Sequence, residues 1–134
     1  MGLKERRAIQ EFAAKVTPEW QLKVSGVIPN HALKLELDAT SLSVNGIDDY
    51  GLWEDVFIKP FVMVLEKISQ NEKDAENFKK KFTTVVLQNL GGNFFGENSI
   101  RFVEDKIVLD HELHHVENIE ERVKDWKRLI EEKL

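Results

Sequence analysis

From Leu33 to Ala39 the chain alternates strictly: Leu33, Leu35, Leu37 and Ala39 are apolar, and the residues between them, Lys34, Glu36 and Asp38, are charged. A period of two belongs to a strand with one buried face, because successive side chains point to opposite sides. A strand also carries backbone N–H and C=O groups that need partners on neighbouring strands. The chain must therefore build a sheet, and other segments must supply its remaining strands. Trp20, Leu22, Val24 and Ile28 alternate with Gln21, Lys23 and Ser25, which predicts a strand before a turn at Pro29-Asn30. Ser41 to Val44 predicts a third, closed by the turn dipeptide Asn45-Gly46. Ile100 to Val103 and Lys106 to about Leu113 predict a hairpin turning at Glu104-Asp105.

Between these stretches the period changes to that of a helix. Ile9, Phe12, Ala13 and Val16 predict a helix over residues 3–16, ended by Thr17-Pro18, since the residue before a proline is pushed out of the helical region. Val56, Phe61, Val64, Leu65 and Ile68 share one face of a central helix over 52–69. Phe57, Ile58, Val62 and Met63 make its other side apolar too, so it is covered on several sides or lies in an interface between chains. Pro60 should kink or divide it. Asn71, with Asp74 three residues on, predicts a capped helix carrying Ala75, Phe78, Phe82, Val85 and Val86 to about Leu90, stopped by Gly91-Gly92. Ile119, Val123, Trp126, Leu129 and Ile130 predict a last helix.

Tight turns between strands favour antiparallel pairing. The expected class is α+β: an antiparallel sheet of about four to five strands packed against N-terminal, central and C-terminal helices. At 134 residues the chain is expected to form a single domain over 1–134. Trp20, Trp53 and Trp126 each fall on an apolar face and are expected in the core. There is no cysteine, which excludes disulfides, thiol catalysis and cysteine-ligated clusters. The net charge is −5, and the one basic run, Lys79-Lys80-Lys81, reads as the solvated face of a helix, so no nucleic-acid partner is expected. No apolar run approaches the ~20 residues that span a bilayer, so no membrane partner is expected. The start of the chain lacks the apolar core of a secretory signal, which fits a cytoplasmic protein.

One motif is sharp. His111-Glu112-Leu113-His114-His115 contains H-E-x-x-H. On a helix, His111 and His115 share a face and suit one zinc ion, with Glu112 as general base for the metal-bound water. Val108-Leu109 before the motif and Val116 after it agree. The stretch resembles the zinc-metallopeptidase signature over about ten residues. That resemblance implies a hydrolase with His111 and His115 as ligands and Glu112 as catalytic residue. The same residues also fit period two, as Ile107, Leu109, His111, Leu113 and His115 against Val108, Asp110, Glu112, His114 and Val116. On a strand the two histidines would lie roughly 13 Å apart and could not share a metal. The charges at Asp110 and Glu117 suit a surface segment.

Other constellations are weaker. Asp48-Asp49 lacks the spacing of a calcium loop and reads as a helix cap. The glycine-rich stretch 91–99 lacks any phosphate-binding pattern. Its Phe94-Phe95 pair either anchors the loop in the core or docks a partner. The leading expectation is a non-enzymatic module that binds a protein partner or self-associates, through the helix over 52–69 or through Phe94 and Phe95. The alternatives are a zinc-dependent hydrolase on His111, Glu112 and His115, and a small-molecule binding domain with its pocket between sheet and helices.

Overall fold

The computed structural model describes residues 3–42, 54–91, 93, 95–112 and 118–134. Helix α1 runs Leu3–Val27, through Pro18, and does not end at Val16 as expected. Phe12, Val16, Trp20, Val24 and Ile28 recur every four residues, and each is buried. A spacing of four is a multiple of two, which is why the second half also reads as a strand. Leu22, which only the strand pattern would bury, is 76% exposed. A proline inside a helix costs about 3 kcal/mol. Val24 and Ile28 together return about 3–6 kcal/mol on burial, and Trp20 adds more, so the helix continues. The Trp20 indole N–H donates to the Leu33 carbonyl at 2.8 Å, which fastens α1 to the approach of β1.

β1 is Lys34–Leu37, inside the predicted strand. The strand expected from Ser41 is instead one helical turn, α2, Ala39–Leu42. Asp38 starts it: its Oδ1 accepts the Ser41 N–H at 3.2 Å. Asn45-Gly46, Asp48-Asp49 and Trp53 lie outside the described residues. A π-helical turn, Glu54–Ile58, leads into α3, Lys59–Ile68. Pro60 sits in the first turn of α3, where its missing N–H costs nothing. It divides the apolar stretch as expected. Trp20 stacks on Phe61 at 5.6 Å from the α1 side, and α5 (Ile119–Glu131) packs on α3 from another. Among the described residues of this helix the apolar faces are therefore covered within the chain, with Met63 37% exposed.

α4 is Glu72–Lys81, capped as expected by Asn71, whose side chain accepts the Asp74 N–H at 3.1 Å. It does not continue to Leu90. Thr83, Thr84, Val85 and Val86 are four β-branched residues in a row, stiff at χ1 and suited to a pleated surface. They open β2, Thr84–Gln88, which is buried on both faces. After a 3-10 turn at Gly96–Asn98 come β3, Ile100–Val103, and β4, Lys106–Asp110. Glu104 takes the left-handed conformation, φ 57°, in their tight turn.

The strand order is β1-β2-β4-β3. β1 with β2 and β2 with β4 are parallel, and only β3 with β4 is antiparallel. The sheet is thus mixed and four-stranded, not the antiparallel sheet expected. The reason lies in the connections. The expected strand from Trp20 lies in α1 as far as Val27, and Ser41 and Leu42 of the third lie in the helical turn α2, so β1 reaches β2 by a long connection that contains α3 and α4, and such a crossover joins parallel strands. The mixture of helices and sheet is of the α+β kind. Trp20 and Trp126 are buried in one apolar cluster with Phe12, Phe57, Phe61, Phe78 and Phe82. Among the described residues no helix is long and apolar enough to cross a membrane.

Candidate functional site

Because β1, β2 and β4 are parallel, their carboxyl ends lie along one edge of the sheet. In sheets of this kind ligand sites gather at that edge. Here it carries Asp38, Gln88 and Asp110, followed by the loop between β2 and β3.

Asp110, the last residue of β4, is 3% exposed, although the surrounding charges suggested a surface segment. Its Oδ1 accepts the backbone N–H of Leu90 at 2.9 Å and of Gly91 at 3.2 Å. Its Oδ2 accepts Gln88 Nε2 at 3.0 Å and a guanidinium N–H of Arg101 at 3.2 Å. Burial pushes the Asp110 carboxyl up, but the hydrogen bonds from Gln88, Gly91, Leu90 and Arg101 outweigh it and hold the group below the usual carboxylate range. A carboxylate has about four acceptor sites, and these donors fill them. Asp110 is therefore an anchor for the loop.

The rest of the loop is laced to the same edge. Asn93 Nδ2 donates to the Asp110 carbonyl at 3.3 Å, and the Glu112 N–H donates to the Asn93 carbonyl at 2.6 Å. The His111 N–H donates to the Gln88 carbonyl at 3.1 Å, and the Asn89 N–H to Ser41 Oγ at 3.1 Å. At the far end of the loop Gly96 lies hard against α5. A Cβ there would stand 2.7 Å from Asp125 Oδ2 and 3.2 Å from the Arg122 Cα. The Trp126 indole N–H donates to Ser99 Oγ at 2.9 Å, and that hydroxyl donates to the Gly96 carbonyl at 2.9 Å. Between these anchors Leu90 is 67% and Phe95 61% exposed. Phe95 is thus mostly exposed. Phe94 lies outside the described residues.

The residues of the H-E-x-x-H motif are only partly in view. His111 follows β4 directly, and neither it nor Glu112 is helical. The His111 ring is buried edge-on against Phe57, with centroids 6.5 Å apart, and its Nδ1 lies 2.8 Å from the Glu112 carbonyl. The helical segment that would put His111 and His115 on one face is therefore not present at the motif's first two residues. His115 lies outside the described residues. Among the described residues no three histidine, aspartate or glutamate side chains converge as metal ligands.

A groove of about 910 Å3 runs between α3 and α5 over Met63 and Val123. Its rim carries charges of both signs, and these partly neutralise one another, as in Arg128 with Glu132 at 3.5 Å. It therefore expresses no charge preference for a ligand.

Sequence reasoning did not single out Leu90 or Asp110 as parts of a site. The signal for Asp110 was a carboxylate continuing the buried run Ile107-Val108-Leu109, which only a dedicated set of donors makes tolerable. No protein-family model, no curated protein and no solved structure matches the chain.

Proposed function

We infer that the chain is a non-enzymatic interaction module that self-associates through the loop between β2 and β3. The observation that carries this reading is the pairing of two large exposed apolar side chains, Leu90 and Phe95, with a backbone held at both ends by hydrogen bonds. Exposed apolar side chains on a pre-ordered backbone lose little entropy when a second surface covers them.

The strength expected follows from the same residues. Covering a leucine and a phenylalanine contributes about 1.5–3 kcal/mol each. Association itself costs about 4–15 kcal/mol. Two such side chains support weak contact only, so the experiment belongs at high concentration. Light scattering would compare the parent with a Leu90→Ser, Phe95→Ser variant from micromolar to near-millimolar protein. The reading expects a mass that rises with concentration in the parent and stays at the monomer value in the variant. A parent that remains monomeric throughout would refute self-association.

A further inference from the structure

We propose that His31 is an acid-operated latch on the turn between α1 and β1: proton uptake by its buried imidazole releases the segment from Pro29 to Lys34 from α4 and β2.

His31 is 8% exposed, and its ring stands edge-on to Phe78 of α4, with centroids 5.7 Å apart at 85°. Its Nε2 is buried and has no hydrogen-bond partner. The site is therefore shaped for a neutral imidazole. A second ring proton would place a charged N–H where no acceptor waits, and a buried charge without a partner is costly. The charged groups facing it do not help. α4 presents Lys79, whose Nζ reaches the Pro29 carbonyl at 3.2 Å and pairs with Glu76 at 3.2 Å. α1 meets the turn through the neutral Gln21, which donates to the His31 carbonyl at 3.3 Å. The segment after α4 contributes the Phe82 carbonyl. None of the groups acting on the ring among the described residues is a carboxylate.

Burial lowers the His31 pKa from 6.5, the hydrogen bond to the Phe82 carbonyl works the other way, and the charge on Lys79 lowers it again. The sign follows. Above 6.5 the imidazole is neutral whether the turn is closed or open, and the closed turn keeps its full stability. As pH falls from 6.5 toward the depressed closed-state value, the open form takes up the proton first and the closed form is disfavoured. The segment is held by the Lys79 and Gln21 contacts, the Trp20 indole on the Leu33 carbonyl, the Lys34 N–H on the Thr83 carbonyl at 2.9 Å and the buried side chain of Leu33. β1 is an edge strand of the sheet, so the segment that leads into it can open without unpairing β2 from β4, and the opening is local.

Hydrogen exchange followed by NMR between pH 8 and pH 5 tests this on the full chain and on His31→Phe, which keeps a ring against Phe78 but cannot titrate. Corrected for intrinsic exchange, the opening constant at the Lys34 amide should exceed that of the β4 amides. It should rise by up to about tenfold per pH unit below 6.5 in the parent and stay flat in the variant. A pH-independent opening constant at Lys34 overturns the proposal, as does exchange at Lys34 in step with β4 at every pH. If His31→Phe does not fold, the titration of the His31 ring in the parent decides. A midpoint below 6.5 supports the latch, and one at or above 6.5 overturns it.

Discussion

Replacing Asp110 with alanine removes one buried side chain and orphans several donors at once. The Gln88 amide is buried, 6% exposed, and loses its acceptor at 3.0 Å. An unsatisfied buried donor costs about 1–3 kcal/mol. The Leu90 and Gly91 N–H groups, bonded to Oδ1 at 2.9 and 3.2 Å, are only part-buried and regain some water, so about 1 kcal/mol each is the appropriate figure. Arg101 is half-exposed, and its pair with Asp110 contributes about 0–1 kcal/mol. The sum is a loss of roughly 3–6 kcal/mol, a large share of the stability of a domain this size. Urea unfolding of parent and Asp110→Ala at pH 7 would measure it. The pH dependence adds a second handle. The folded-state pKa of Asp110 is depressed, so its contribution is complete above the unfolded value of about 3.9 and is lost as pH falls through the folded value. The difference between parent and variant should therefore shrink on going from pH 7 to pH 3. A difference below about 1 kcal/mol at pH 7 would refute the reasoning that the carboxylate anchors the loop. A difference that does not change with pH would refute the electrostatic part of it.

Other consequences are independent of that one. Gly96→Ala should destabilise by about 1–3 kcal/mol in a thermal melt, because the new Cβ would stand 2.8 Å from the Asp125 Cβ and 3.2 Å from the Arg122 Cα, and neither can move without the α5 backbone. Pro18→Ala should stabilise by about 1–3 kcal/mol in urea unfolding, since it restores a backbone donor inside the continuous helix α1; a loss of stability would mean that the proline is favourable there. Equilibration with excess zinc followed by desalting and elemental analysis should leave well under one equivalent of metal. A full equivalent, lost on His115→Ala, would return the hydrolase reading through His111 and Glu112 to the front.

Much of the local structure is written in nearest-neighbour chemistry. The alternation at 33–39 marks β1, Asn71 caps α4 through Asp74, Pro60 opens α3, and Glu104-Asp105 turns β3 into β4. Each of these depends on residues within one helical turn or one pair of strands, and that range is visible in a linear chain. The errors share a cause. The stripe Phe12, Val16, Trp20, Val24, Ile28 satisfies two periods at once, and only the exposure of Leu22 separates them. Exposure is a property of the packed molecule. The helix that stops at Lys81 instead of Leu90 was misread because Val85 and Val86 fit a helical face as well as a strand, until β1 and β4 close on either side of them.

The candidate site was less legible than the fold. Phe95 was visible as one of a pair of aromatics among glycines, but nothing local says whether such a residue turns in or out. Asp110 and His111 looked like a polar surface run, yet both are buried, because Gln88, Leu90, Gly91 and Arg101 come to the carboxylate from β2, the loop and β3. Patterns among near neighbours are enough to give a half-buried strand, an apolar central helix and an amphipathic helix capped by Asn71, because those rest on contacts a few residues apart. The tertiary structure alone decided the parallel pairing, the loop that Asp110 holds and the burial of His31, because each joins segments tens of residues apart whose meeting depends on how the whole core packs.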